Sequence, residues 1–168
     1  MRRAAIGSVV FFFLAPGIVG GLIPWLLGGA DRYDGPFNIT DVLGDALFVA
    51  GLLAVIAAFV QFVREGRGTP APVAPTEELV VGGLYRHVRN PMYVAVGAMI
   101  AGQAIVYASV AVWWWLLAFA VLVVSFVRLY EQPTLRRTYG ASYEAYLAAV
   151  PGWWPRLTAW RGSSSGGS

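Results

Sequence analysis

The sequence predicts an all-α integral membrane protein with about four transmembrane helices, the last two forming a helical hairpin, and a C-terminal amphipathic helix at the membrane surface. Three observations carry this reading. The 168-residue chain is 58% hydrophobic and only 12% charged, against roughly 25% charged residues in soluble domains. Its uncharged runs reach the roughly 20 apolar residues that cross hydrocarbon. The arginines gather between those runs, as topogenic charges do.

The first span is expected over residues 5–29, where no charge interrupts the run, with kinks at Pro16 and Pro24. Arg2 and Arg3 before an apolar run also resemble a signal peptide. The run is longer than a signal core, however, and has no clear small-x-small cleavage site. An acidic loop follows, with Asp31, Asp34 and Asp41 against Arg32 and a Gly35-Pro36 turn. The second span is expected over 42–63. Residues 64–91 form the main polar connection, whose first half is rich in Pro, Gly and charge and reads as an irregular linker. Leu79, Val80 and Val81 suit a short extended piece before Gly82-Gly83.

Residues 92–127 then carry no charge. As one helix they would measure about 54 Å, nearly twice the roughly 30 Å hydrocarbon core, so the segment must fold back. Tyr107-Ala108-Ser109 is the expected tip, which gives spans over 92–107 and 110–129, with Trp113, Trp114 and Trp115 as an aromatic belt. Beyond Arg128, the residues Leu135, Tyr139, Tyr143, Tyr146, Leu147 and Val150 recur at helical steps. They describe an interfacial amphipathic helix over 134–149. Pro151 ends it, and Trp153-Trp154-Pro155 follows as an anchor. Residues 1–161 read as one membrane-embedded domain and 162–168 as a flexible tail.

Eleven of the twelve arginines fall in the N-terminus, the middle connection and the C-terminal segment. The positive-inside rule then places both termini and the middle connection in the cytosol, in a multi-pass protein of the cell membrane. The two chemically rich segments, 82–93 and 128–156, share that face. An arginine-only, Ala-, Gly- and Val-rich composition suggests a bacterial source.

Composition also excludes chemistry. With no cysteine and no lysine, thiolate nucleophiles, thiolate metal sites and Schiff bases are impossible. One histidine makes a histidine-rich metal site implausible, and no metal is expected. No basic stripe with interleaved aromatics points to nucleic acid.

The segment Gly82–Tyr93 crowds Tyr85, Arg86, His87, Arg89, Asn90 and Tyr93 against an apolar run. It can be explained structurally: Asn90 caps a helix that Pro91 opens, and the arginines snorkel to headgroups. It can equally form a site, because a helix start with nearby arginines stabilises a carboxylate or phosphate. The second segment adds Glu131, a carboxylate disfavoured at a helix C-terminus. Glu131 either pairs with Arg128 or reaches solvent, or it accepts hydrogen bonds from a cationic or hydroxyl-bearing ligand.

Together the two segments read Gly83-x-Tyr85-Arg86-x-x-Arg89-Asn90-Pro91-x-Tyr93, a hydrophobic hairpin, then Glu131-x-x-x-Leu135-x-x-x-Tyr139-Gly140-x-x-Tyr143-x-x-Tyr146-x-x-x-Val150-Pro151-x-x-x-Pro155. This order and spacing over residues 79–156 resembles the isoprenylcysteine carboxyl methyltransferase and phospholipid methyltransferase family. The resemblance implies methyl transfer from S-adenosylmethionine, with S-adenosylhomocysteine as product, to a lipophilic or lipid-linked acceptor on the cytosolic side. It implies a cofactor pocket with Tyr85, His87, Arg89, Asn90, Pro91, Tyr93 and Gly97 on one side and Glu131 on the other, Glu131 and Arg89 being the catalytic pair. Two positions depart from the family pattern: Asn90 stands where histidine is frequent, and Gln132 where a second glutamate is.

Isoprenoid carboxylate, isoprenoid thiol and phospholipid amine all remain open as acceptors, and membrane lipids are the expected surroundings. Two other classes compete. A non-catalytic scaffold would use the same arginines to bind anionic headgroups. A nicotinamide-dependent membrane reductase ranks below it, because no Gly-rich phosphate loop follows a strand.

Overall fold

The computed structural model describes residues 16–29, 38–66 and 79–161. The start of the first expected span, most of the acidic loop, most of the middle linker and the tail lie outside the described residues, while Asp41 falls in the first turn of a helix. Among those described, every regular element is helical. They are α1 (Ile18–Gly29), α2 (Ile39–Gly66), α3 (Pro91–Val106), α4 (Val110–Phe126), α5 (Gln132–Tyr139) and α6 (Ala141–Ala149). Residues 79–81 are irregular, and a single 3₁₀ turn, Gly83–Arg86, precedes α3. Two stretches are long and apolar enough to cross a membrane, Ile39–Phe62 and Val110–Tyr139, while α1 and α3 are shorter apolar helices.

The α2–α3 pair is the centre of the fold. Gly44, Gly51 and Ala58 recur every seventh residue, so they lie on one face of α2, the first two against α3 and Ala58 against Val80 and Tyr85. A Cβ added to Gly44 would lie 2.8 Å from the Gly102 carbonyl oxygen, and one on Gly51 would lie 2.7 Å from that of Ala95. Ala58 is fully buried. Small residues at these positions let the two backbones approach to van der Waals distance, which drives association where lipid removes the hydrophobic incentive. Met99, Ile100, Ala104 and Val112 extend the same core towards α4.

Pro24 shapes α1. Having no N–H, it cannot pair with the Gly20 carbonyl in an α-helical register, nor with the Val19 carbonyl in the wider i+5 register. The helix adopts wide turns at Ile18–Leu22 and Trp25–Gly29. Both orphaned carbonyls are satisfied from neighbouring helices: Gln103 Nε2 donates to Gly20 O, and Trp115 Nε1 donates to Val19 O at 3.0 Å. Gln103, a buried polar side chain of α3, therefore holds α1 in place.

The chain reverses at Tyr107–Ser109, where Ala108 takes a positive φ of 48°. α4 then continues without interruption into α5 through a wide turn, Val127–Glu131, closed by the Gln132 N–H on the Val127 carbonyl. This turn absorbs Pro133, which would otherwise clash in a regular helix. The surface helix expected over 134–149 is two helices rather than one. Gly140, at φ 51° and ψ −126°, occupies a backbone region closed to L-residues with side chains, and the Arg136–Glu144 ion pair at 2.8 Å spans the break.

Candidate active site

Between Arg86 and Asn90 the chain runs beside residues 151–160, which form a strap across the start of α3. The Arg89 N–H donates to Pro151 O at 2.9 Å, the Arg156 N–H to His87 O at 2.9 Å, and the Trp160 N–H to Arg86 O at 3.0 Å. Side chains reinforce this ladder. Arg86 Nε donates to Trp160 O at 2.7 Å, Asn90 Nδ2 to Gly152 O at 3.0 Å, and the His87 ring to Arg156 O at 2.8 Å. A carbonyl only accepts, so His87 Nδ1 carries the proton.

These bonds redistribute the expected roles. Asn90 stands at the N-cap of α3 but makes no side-chain cap bond. Pro91 at the first helical position, with the Val94 N–H on the Asn90 carbonyl at 3.1 Å, opens the helix instead. Asn90 and His87 both spend a nitrogen on the strap. Tyr85 is buried against α2 beside Phe62, and its carbonyl accepts the Tyr146 hydroxyl at 2.7 Å.

The polar centre lies one step further along. The Tyr93 hydroxyl, in the first turn of α3, donates to Glu131 Oε2 at 3.3 Å. Among the described residues the salt bridge is Arg136–Glu144, so Glu131 does not pair with Arg128. Arg89 has its Nε buried without a hydrogen-bond partner. The Tyr143 phenol lies within electrostatic reach of the Arg89 guanidinium, and of the charges of Glu131 and Arg136. Arg89 and Glu131 thus act on one side chain from two elements. Burial pushes the Tyr143 phenol above its ordinary range, and the Arg89 guanidinium pulls it back.

An apolar cavity of about 170 Å³ adjoins this centre, walled by Tyr93 and Gly97 of α3, Leu116, Phe119 and Val123 of α4, and Trp153 of the strap. Tyr93 belongs to both, its hydroxyl on Glu131 and its ring on the cavity. Gly97 faces α4, with Leu116 Cδ1 3.9 Å from where a Cβ would stand. Its missing side chain therefore leaves room in the apolar space. Tyr130, a further aromatic of the motif, is half exposed and stacks on Phe126.

A family model for phospholipid methyltransferase matches residues 39–142. The chain belongs to the phospholipid methyltransferase family. No curated protein matches it. Membership in the phospholipid methyltransferase family supports a membrane methyltransferase in general terms. The family match reaches further upstream than the motif-bearing segment and takes in α2, whose glycines pack α3. It covers Arg89, Tyr93 and Glu131 and ends one residue before Tyr143. Tyr143 and Trp153, read from sequence as a surface-helix residue and an anchor, stand at the polar centre and the cavity. The Gly140-x-x-Tyr143 spacing was the available signal for the first; nothing in the sequence distinguished Trp153 from Trp154.

Proposed function

We propose that this protein transfers a methyl group from S-adenosylmethionine to a lipophilic or lipid-linked acceptor at the cytosolic face of the membrane. The observation that carries the reading is the pair Glu131 and Arg89. Glu131 is a carboxylate that accepts a phenol and has no ion-pair partner among the described residues, and Arg89 has a buried Nε without a partner. Groups of opposite sign left incomplete on two sides of one centre suit a ligand bearing both an anionic and a cationic group. Arg89 would hold the amino-acid carboxylate of the cofactor, and Glu131 with the Tyr93 face would lie towards its cationic part. When bound, S-adenosylmethionine supplies an electrophilic methyl on a sulfonium sulfur that leaves with the bonding pair.

This chain's own residues then position and shield. Positioning of acceptor against methyl supplies much of the acceleration in such a displacement, and the cavity beside Tyr93 offers the acceptor's apolar group a fixed seat. A carboxylate or thiolate acceptor needs no base. For an amine acceptor, Glu131 receives the released proton. Asn90, His87 and Arg86 contribute indirectly, by tying the strap over Arg89. Gly152 lies so close that a Cβ there would sit 3.1 Å from Arg89 Nη2.

The topology that goes with this reading is four spans, α1 to α4, with both termini cytosolic and α5–α6 at the interface. It is supported by the length of α2 and of the α4–α5 helix, by the tight α2–α3 seam, and by the direct bonding of residues 86–90 to the strap. Calorimetric titration with S-adenosylmethionine and S-adenosylhomocysteine tests the reading. Binding to wild type, with loss in Arg89→Ala and Glu131→Ala, is expected. Folded wild-type protein that binds neither ligand would favour the non-catalytic scaffold instead.

A further inference from the structure

The two tryptophans of the strap part company. Trp154 is 83% exposed, whereas Trp153 is partly buried and forms a wall of the α3–α4 cavity. Trp153 is also bracketed by the hydrogen bonds that fix the strap. Asn90 Nδ2 on Gly152 O and the Arg89 N–H on Pro151 O precede it, and the His87–Arg156 pair follows it. An aromatic held on both sides against a cavity is a rigid wall rather than a mobile anchor.

The cavity's contents are constrained by size and polarity. At about 170 Å³ it falls below the roughly 300–1,000 Å³ of sites that enclose drug-sized ligands, and its walls are aliphatic and aromatic side chains. A zwitterionic nucleoside cofactor does not fit there. It is close to the roughly 150 Å³ of an apolar space that takes a single benzene ring. Ala120, a further wall residue, is exposed, so the cavity opens to the surface there and a chain can extend out of it.

We propose that Trp153 is a specificity-determining wall of the site: it restricts the apolar group next to the methyl-accepting atom to about one ring in bulk, without restricting the length of the chain behind it. The proposal rests on the methyl-transfer reading, because Tyr93 is what joins this cavity to Glu131. The occupant is the apolar part of the acceptor, held beside the polar centre, rather than bulk membrane lipid.

The test is photolabelling of the full chain in lipid nanodiscs with a phenyl diazirine, a naphthyl diazirine, and short and long n-alkyl diazirines, mapped by mass spectrometry to Tyr93, Phe119 and Trp153. Wild type should take the phenyl probe about ten-fold or more in excess of the naphthyl probe, the discrimination that a methylene or two of misfit produces. It should take both alkyl probes alike. Trp153→Ala and Trp153→Leu should admit the naphthyl probe, and Trp153→Phe should restore part of the exclusion. Equal phenyl and naphthyl labelling of wild type, as in a groove filled by bulk lipid, would overturn the proposal. So would exclusion that persists in the Ala and Leu variants. Titration with S-adenosylmethionine on the same samples separates the two ideas. Absent binding with an intact labelling ratio counts against methyl transfer alone, and intact binding with a flat ratio counts against Trp153 alone.

Discussion

The Tyr93 hydroxyl donates to Glu131 Oε2 at 3.3 Å, tying the first turn of α3 to the wide turn that ends α4. The bond links residues 38 positions apart in sequence and sets a carboxylate against a residue that also walls the apolar cavity. Wide turns of this kind are frequent at functional sites because they redirect one side chain without ending the helix.

Replacing Glu131 by Gln keeps the shape and the Tyr93 contact but removes the charge. S-adenosylmethionine binding should weaken by about 1.5–3 kcal/mol, the range for hydrogen bonds to charged groups, or roughly ten-fold to just over a hundred-fold. Tyr93→Phe should do less to cofactor affinity and more to turnover, since it frees the carboxylate to move. Calorimetry and a methyl-transfer assay, run in parallel, read the two effects.

Asn90→Ala removes the bond to the Gly152 carbonyl. The expected cost is about 1 kcal/mol, or roughly 2–4 °C in melting temperature for a chain of this size. Protease cleavage between residues 151 and 160 should become faster than in wild type, with α2 and α3 unaffected. An unchanged cleavage rate would show that Asn90 does not hold the strap.

Gln103→Leu should detach α1 from α3 by leaving the Gly20 carbonyl unpaired, at about 1–2 kcal/mol. A cysteine pair placed on α1 and α3 should then cross-link more slowly in membranes. Pro24→Ala should partly rescue the loss, because it returns an N–H to the helix.

Burial raises the Tyr146 phenol above its ordinary value of 10.0. The folded state therefore favours the neutral phenol more than the unfolded state does. The stability this contributes is complete below about pH 10 and is lost as pH rises from there towards the folded-state value. The melting temperature should fall above pH 10, and Tyr146→Phe should flatten that fall while lowering stability at neutral pH through loss of the bond to the Tyr85 carbonyl. Thermal unfolding followed from pH 7 to 11 measures both.

Several of these features were legible in the sequence. An uncharged stretch too long for one crossing had to bend, and Tyr107–Ser109 was where polarity allowed it. Pro24 announced an irregular first helix, while the kink expected at Pro16 falls at the edge of the described residues. The heptad Gly44, Gly51, Ala58 could have been read as a packing seam, but its partner could not, because one glycine stripe fits any helix that lets backbones meet. The apolar periodicity of 134–149 runs straight through Gly140 and so predicts one continuous helix where the structure has two. Periodicity reports which face is buried and is blind to a φ of 51°.

By itself the sequence determined the helical, lipid-facing character of the chain, the order of its apolar segments, and the identity of the residues able to bind charge. These follow from hydropathy and from side-chain chemistry, which are local. Only the tertiary structure decided what each motif residue does. Arg86, His87 and Asn90 find their partners in backbone carbonyls 62 to 74 residues downstream, and every residue carries such a carbonyl, so nothing in the sequence marks them. The α3–α4 reversal carries Glu131 back to the Tyr93 hydroxyl at the start of α3, and the strap brings Gly152 against the Arg89 guanidinium.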